Sequence, residues 1–318
     1  MLAEAIESVL NQRNVELEVI LIDDCSTDGT EEFVRSIHDE RIRYFRNEKN
    51  SGQDYSRMIG FREVRGKYIT FLDDDDYYTD YDFFSKAVNI FCEHKDDEIP
   101  VVMVCANAEV LNISTNESRY SDIGKPGRVK GIDFILNGKE YRKPPSVFPA
   151  VFKADALRKA GLEDMLIFDT MTYIQAAIEG DAWFMSDVIG VYRVHGNNHS
   201  KGMKNHKADD ARHYHVTREN LKRTRLVKEK LQGKTERKII ERWYINYMLM
   251  LNGFYAIARP GIKDRIKIMN LILSESGFMP KLWMRIMLSL FKGILKTITP
   301  LRRVYKKIKY GDSHYGEH

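Results

Sequence analysis

The chain has 318 residues, 43% hydrophobic and 30% charged, the balance of a folded soluble protein with room for one large domain or a domain and an appendage. Its three cysteines, Cys25, Cys92 and Cys105, are unclustered and lack metal-ligand spacing, which fits a reduced compartment better than a disulfide framework. The net charge of +4 hides an asymmetry: residues 259–309 hold thirteen Lys or Arg against two acids, a local charge of +11, so the remainder carries −7.

Helices and strands alternate from the start. Residues 3–12 have apolar positions at helical spacing and two acids, unlike a secretory signal. A strand over 17–22, a helix over 29–38, a strand over 42–46, a helix over 53–64, a strand over 68–72 and a helix over 80–94 follow, and 101–104 continues as a strand. This alternation predicts an α/β fold with a mixed, mostly parallel sheet flanked by helices. Residues 114–131 and 143–149 are rich in turns. A helix over 169–179 is then predicted, with Asp169 at its N-terminus and Gly180 as its stop, followed by strand-like 183–185 and 188–193. From Lys204 onward only helices are expected. The predicted organisation is therefore one α/β domain over 1–203 and a helical, basic region over 204–318.

Two of the predicted strands end in carboxylates. The first runs into Asp23-Asp24-Cys25-Ser26-Thr27-Asp28-Gly29-Thr30, the second into Asp73-Asp74-Asp75-Asp76. Two carboxylates about 4 Å apart repel by roughly 4 kcal/mol at an effective dielectric near 20. Solvation, proton sharing or a bound cation must offset this, and a hard divalent ion with oxygen ligands is the option that creates chemistry. A solvated loop or a helix cap is the bland alternative. A calcium loop is excluded, because Tyr78 stands where the tight-turn glycine belongs and Phe84 where the bidentate glutamate belongs. In a parallel α/β sheet, ligands bind beyond the carboxyl ends of strands, where both clusters fall.

Several ordered motifs resemble the family 2 glycosyltransferases of the GT-A fold: Glu4 to Gln12, Asp23 to Thr30, Asn50-Ser51-Gly52 with Arg57 to Gly60, Gly66 to Asp76, and Tyr192-Arg193-Val194-His195. The resemblance runs from residue 3 to about 200. It implies an inverting, metal-dependent transfer of a hexosyl or N-acetylhexosaminyl group from a nucleotide-sugar, UDP-linked, to a saccharide or lipid-linked acceptor in bacterial surface polysaccharide synthesis. It further implies that Asp24, supported by Asp23, meets the nucleobase, and that Asp73 and Asp75 form the D-x-D-type element. Asp75 would be the direct ligand of Mg²⁺ or Mn²⁺, Asp74 or Asp76 would lie near the ribose or behind the ligands, and His195 would complete the metal or diphosphate site. Arg57 is a candidate phosphate partner, with a solvated helical arginine as the alternative. His199 tempts a zinc reading but has no third ligand at sensible spacing. The acceptor-side base implied is Asp169, with Asp164 of the Glu163-Asp164 pair as its rival, since Phe168 stands where the family commonly has Glu. A sugar nucleotidyltransferase and a truncated non-catalytic binding module are the competing functions.

One departure is that relatives begin with a strand and turn before the first helix. The chain is thus expected to lack a central strand of about 10 to 15 residues, with weak stability and poor donor binding as the consequence. At the other end, residues 280–296 are apolar but interrupted by Arg285, Lys292 and Lys296, and Arg302-Arg303 and Lys306-Lys307-Lys309 follow. That pattern suits a helix lying on an anionic membrane surface over 280–309, or an amphipathic helix packed on the catalytic domain. Nucleic acid is not expected as a partner, because aromatic and basic residues do not interleave. The location implied is the cytoplasm, or the inner face of the membrane.

Overall fold

The computed structural model describes residues 1–138, 140–195, 210–251, 262–276 and 279–297, in two compact units, 1–199 and 200–318. His199 and the basic cluster over 302–309 lie outside the described residues. The first unit opens with α1 (Leu2–Leu10), which buries Ala5 and Ile6. Next, β1 (Val19–Asp23) and β2 (Ile42–Arg46) pair in parallel, in the register Val19 to Ile42 through Asp23 to Arg46. A parallel pair needs a crossover, and α2 (Thr30–Ser36) lies in it. Among the described residues these two strands form a sheet of their own. A two-stranded sheet is marginal alone. Here it is braced by α3 (Gln53–Arg62), which packs on β1. Glu18 also braces it, accepting the N–H groups of Arg65 and Gly66 at 2.8 and 3.1 Å and pairing with Arg43.

The larger sheet has seven strands: β3 (Tyr68–Ile69), β4 (Tyr77–Tyr78), β5 (Val101–Asn112), β6 (Glu117–Tyr120), β7 (Gly127–Val129), β8 (Ala150–Lys153) and β9 (Asp181–Val194). They run in the order β3-β8-β5-β9-β4, with β6 paired to β5 and β7 to β9. The mixed α/β class is as predicted, but the direction of pairing differs. Only β5 and β9 are parallel within this sheet; its other pairs are antiparallel. One source of the difference lies in the turn-rich stretch after Leu111, where β6 returns directly against β5 as a hairpin.

Two strands are also longer than their sequence pattern predicts. Val101 to Ala106 are all buried, because β8 and β9 flank β5 and helices cover both its faces. The polar Asn107, Glu109 and Asn112 that follow look like a loop in sequence, yet they stay paired with β9. On one face of β5, Val104, Ala106 and Ala108 join Phe83, Phe84, Ala87 and Phe91 of α4 (Phe83–Glu93), together with Tyr78 and Phe148. The alternation of side chains sends Met103 and Cys105 to the other face. There α5 (Gly131–Leu136), α6 (Ala154–Lys159) and α7 (Asp169–Glu179) pack, and Tyr173 of α7 is fully buried with its hydroxyl on the Ser146 carbonyl at 2.8 Å. Gly190 is required for β4 to reach β9, since a Cβ there would fall 2.4 Å from the Tyr77 carbonyl oxygen.

The second unit is helical among its described residues: α8 (Asp210–Leu231), α9 (Arg237–Leu251), α10 (Ile262–Ser276) and α11 (Pro280–Thr297). α8 packs with α9 and α10, and α9 with α11, around Leu221, Tyr244, Met248, Ile272 and Leu282. No helix among the described residues is long and apolar enough to cross a membrane.

Candidate active site

The first aspartate cluster is satisfied by the protein itself. Asp23 closes β1 with a side chain that is 0% exposed. It accepts the Ser26 N–H at 2.8 Å and the Tyr44 hydroxyl at 2.7 Å, with Arg46 Nε at 3.3 Å. Burial pushes its pKa up, but these donors and the Arg46 charge hold it below the usual carboxylate range. Asp24 faces the start of α3. Its Oδ1 accepts Asn47 Nδ2 at 2.9 Å and the Ser51 N–H at 2.8 Å, and its Oδ2 accepts the Gly52 N–H at 2.5 Å. Gly52 sits at φ 90°, a left-handed conformation that glycine adopts without penalty, and this aims its N–H at the carboxylate. Asp24 therefore ties β1 to the loop before α3.

The second cluster forms a tight turn between β3 and β4, with the Asp76 N–H on the Asp73 carbonyl at 3.2 Å. Oxygens of Asp73, Asp75 and Asp76 lie within 4.8 Å of one another. Asp76 is 0% exposed; its Oδ1 accepts the Arg193 N–H of β9 at 2.9 Å, while its Oδ2 is buried with no hydrogen-bond partner. Burial, with Asp73 and Asp75 alongside, pushes its carboxyl up to about 9 against the opposing Arg193 contact, so it holds a proton at neutral pH. Asp75 Oδ2 lies 2.8 Å from His195 Nε2, and its backbone carbonyl accepts Arg193 Nη1 at 3.1 Å. The Arg193 guanidinium also stacks over the Tyr77 ring at 4.3 Å and pairs with Glu4 of α1. Three converging carboxylates with an orphaned buried oxygen, and an imidazole at their edge, fit a hard divalent cation such as Mg²⁺ or Mn²⁺.

Arg57, on the buried side of α3, joins this turn to α7. Its Nη2 meets Asp73 Oδ1 at 2.6 Å and its Nη1 meets Asp169 Oδ1 at 2.5 Å, with only 9% of its side chain exposed. Burial alone would lower the guanidinium pKa; the two carboxylates raise it far above its ordinary value. For Asp169 the balance runs the other way. Burial pushes it up, and Arg57 with the Lys143 ammonium holds it below the usual range. Asp169 also stands in the first turn of α7, where the helix dipole favours a negative charge. Asp164 is 89% exposed and pairs with Arg62 at 3.2 Å, not with Arg57.

The structure thus brings Arg57, Asp73, Asp75, Asp76, Asp169 and His195 together along one connected set of contacts. Asp74 is exposed and absent from the converging carboxylates. Asp24 connects to this group through the start of α3, where Gln53 follows Gly52, whereas Asp23 bonds with Ser26, Tyr44 and Arg46. Sequence reading assigned no role to Gln53, whose Nε2 donates to Asp73 Oδ1 at 2.6 Å, although its place directly after Asn50-Ser51-Gly52 was a usable signal. Arg193 stood inside a quoted motif without a role of its own. Lys143 was also missed; burial pulls its ammonium below the ordinary lysine range, against the pull of Asp169. Nothing in the sequence around Lys143-Pro144-Pro145 marks it.

Comparison with known proteins finds relatives of this chain. Residues 1–147 match the family described as Glycosyl transferase family 2. A GalNAc(5)-diNAcBac-PP-undecaprenol beta-1,3-glucosyltransferase of Campylobacter jejuni is 39% identical over 197 residues, covering 61% of this chain and 60% of that protein. The succinoglycan biosynthesis protein ExoO of Rhizobium meliloti is 41% identical over 75 residues, covering 24% of this chain and 22% of that protein. The chain thus spans less than two thirds of either curated relative. The solved structure of S. aureus TarS 1-349 shares the fold, with a TM-score of 0.62 at 15% identity, over 98% of this chain and 88% of that one.

Proposed function

We propose that this chain, whose residues 1–147 match the family 2 glycosyltransferases, transfers a sugar, with inversion, from a UDP-sugar to a saccharide or lipid-linked acceptor of polysaccharide synthesis, with Mg²⁺ or Mn²⁺ at the acidic turn. The observation that carries this reading is Arg57, which holds Asp73 of the turn and Asp169 of α7 on one guanidinium. Inversion needs a base on the acceptor side and charge stabilisation on the leaving-group side, and these two carboxylates would supply them. The named relatives act in comparable settings: one on an undecaprenol-linked saccharide, the other in succinoglycan biosynthesis.

Asp73, Asp75 and His195 would hold the cation, with Asp76 behind them, and its chemistry would be to offset charge growing on the departing nucleoside diphosphate. Gln53 and Arg57 fix the Asp73 carboxylate; Arg193 fixes the turn through Asp76 and the Asp75 carbonyl. Asp169 is held ionised and aimed by Arg57, ready to take the proton of the attacking acceptor hydroxyl. Asp23 and Asp24 shape the nucleobase end of the pocket by locking the loop around Ser26 and the start of α3.

The test is a nucleotide-sugar panel with Mn²⁺ and NMR of the product anomer. Release of nucleoside diphosphate, abolished by EDTA, with inverted configuration is expected. Asp169→Asn should keep UDP and Mn²⁺ binding while losing roughly 10³-fold in turnover. Retained configuration, or undiminished turnover in EDTA, would sink the reading. Release of pyrophosphate would identify a nucleotidyltransferase instead, and donor binding without turnover a binding module.

A further inference from the structure

Helix α11 carries two apolar stripes, and its own unit covers one of them. Leu282 and Ile286, four residues apart, are both 0% exposed, and the helix packs with α9. Trp283, Met284, Met287 and Leu288 take the adjoining face and are 38%, 60%, 50% and 51% exposed. At about 100° per residue, Lys281 and Arg285 fall along the far border of that exposed stripe. The helix contains no acid.

Contiguous exposed apolar side chains of this size are uncommon on a soluble surface and mark a partner. Charge complementarity says which. A basic border on an apolar stripe matches the two layers of an anionic bilayer, headgroup phosphates above acyl chains. A nucleic acid would match the charge but not the stripe, because methionine and leucine offer no ring for a base to stack on.

We propose that α11 is an interfacial membrane-binding helix, laying Trp283, Met284, Met287 and Leu288 among the acyl chains of an anionic bilayer while Lys281 and Arg285 engage its headgroups. The two readings that the sequence leaves open thus apply to different faces of one helix: Leu282 and Ile286 pack within the protein, and their neighbours face lipid. This inference is independent of the transfer reaction.

The experiment is co-flotation of the full chain with vesicles of phosphatidylcholine containing phosphatidylglycerol, at low salt. The protein is expected to float with these vesicles and to bind pure phosphatidylcholine less well. Met284→Asp with Leu288→Asp, at exposed positions that leave the packed stripe intact, should lower binding at least about tenfold with an unchanged thermal midpoint. Lys281→Gln and Arg285→Gln should each lower it about fivefold, the worth of one basic residue near a charged surface. Quenching of tryptophan fluorescence by brominated lipid should fall in Trp283→Phe, although Trp183 and Trp243 remain. No flotation at low salt, or flotation unaffected by the double aspartate variant, overturns the proposal. So does a wild-type dimer that the double variant converts to monomer, since the face would then be a contact between copies.

Discussion

The two aspartate clusters follow strands of different sheets, and the fold treats them in opposite ways. Asp23 and Asp24 are met by backbone N–H groups, a tyrosine, an asparagine and Arg46, so their charge is consumed in holding β1 to its neighbours. Asp73, Asp75 and Asp76 converge within 4.8 Å of one another, and the buried Asp76 Oδ2 has no hydrogen-bond partner among the described residues. A carboxylate whose needs are met locally stabilises the fold. One left in excess retains capacity for something else, and that distinguishes a structural acid from a candidate ligand.

The sharpest way to break this contrast is to remove the excess. Asp75→Ala should cost roughly 10³-fold in transfer and abolish Mn²⁺ binding measured by titration calorimetry, whereas Asp24→Asn should leave Mn²⁺ affinity unchanged. Equal loss of Mn²⁺ in both would show that the clusters are not functionally distinct. Next in size is the bridge between turn and helix. Arg57→Met leaves Asp73 and Asp169 without their shared cation and should lower stability by roughly 3 kcal/mol in urea unfolding, with Mn²⁺ restoring part of the loss. Stability unchanged by this variant would mean that solvent already screens the pair.

Smaller effects sharpen the comparison. Asp24→Ala orphans the N–H groups of Ser51 and Gly52 and should cost about 2 kcal/mol. Asp76→Asn mimics the protonated acid and should be nearly neutral at pH 7. The pH dependence should then carry opposite signs. Asp76 is raised from 3.8 unfolded to about 9 folded, so its contribution is complete below pH 4 and is lost as pH rises toward 9. Asp23 is lowered, so its contribution is present above its unfolded value of 3.8 and is lost as pH falls through its folded value. Thermal midpoints measured in EDTA from pH 3 to 9 should show the alkaline decline flattened in Asp76→Asn and the acid decline flattened in Asp23→Asn.

Much of the fold is legible wherever periodicity is strong and local. The helix predicted over 169–179 occupies those residues, and the strand over 42–46 does likewise. The strand predicted over 68–72 shrinks to Tyr68–Ile69, because Thr70 turns to bond with the Tyr78 hydroxyl and the chain bends into the acidic turn. β5 continues far beyond Val104, since pairing with β9 overrides the polar character of Asn107 and Glu109. Arg57 read equally well as a phosphate partner or as a solvated helical arginine. Its burial between two carboxylates nearly a hundred positions apart could not be foreseen from spacing.

Chain chemistry alone settled the α/β class, the two carboxylate clusters at strand ends, the helix that starts at Asp169 and the basic apolar segment near the C-terminus. Each rests on neighbours within a few positions, where propensity, capping and charge act directly. Folding alone chose that Arg57 is buried between Asp73 and Asp169, that burial raises the Asp76 carboxyl, and which stripe of α11 faces outward. These outcomes depend on burial and on donors delivered from distant strands and helices, which no local pattern encodes.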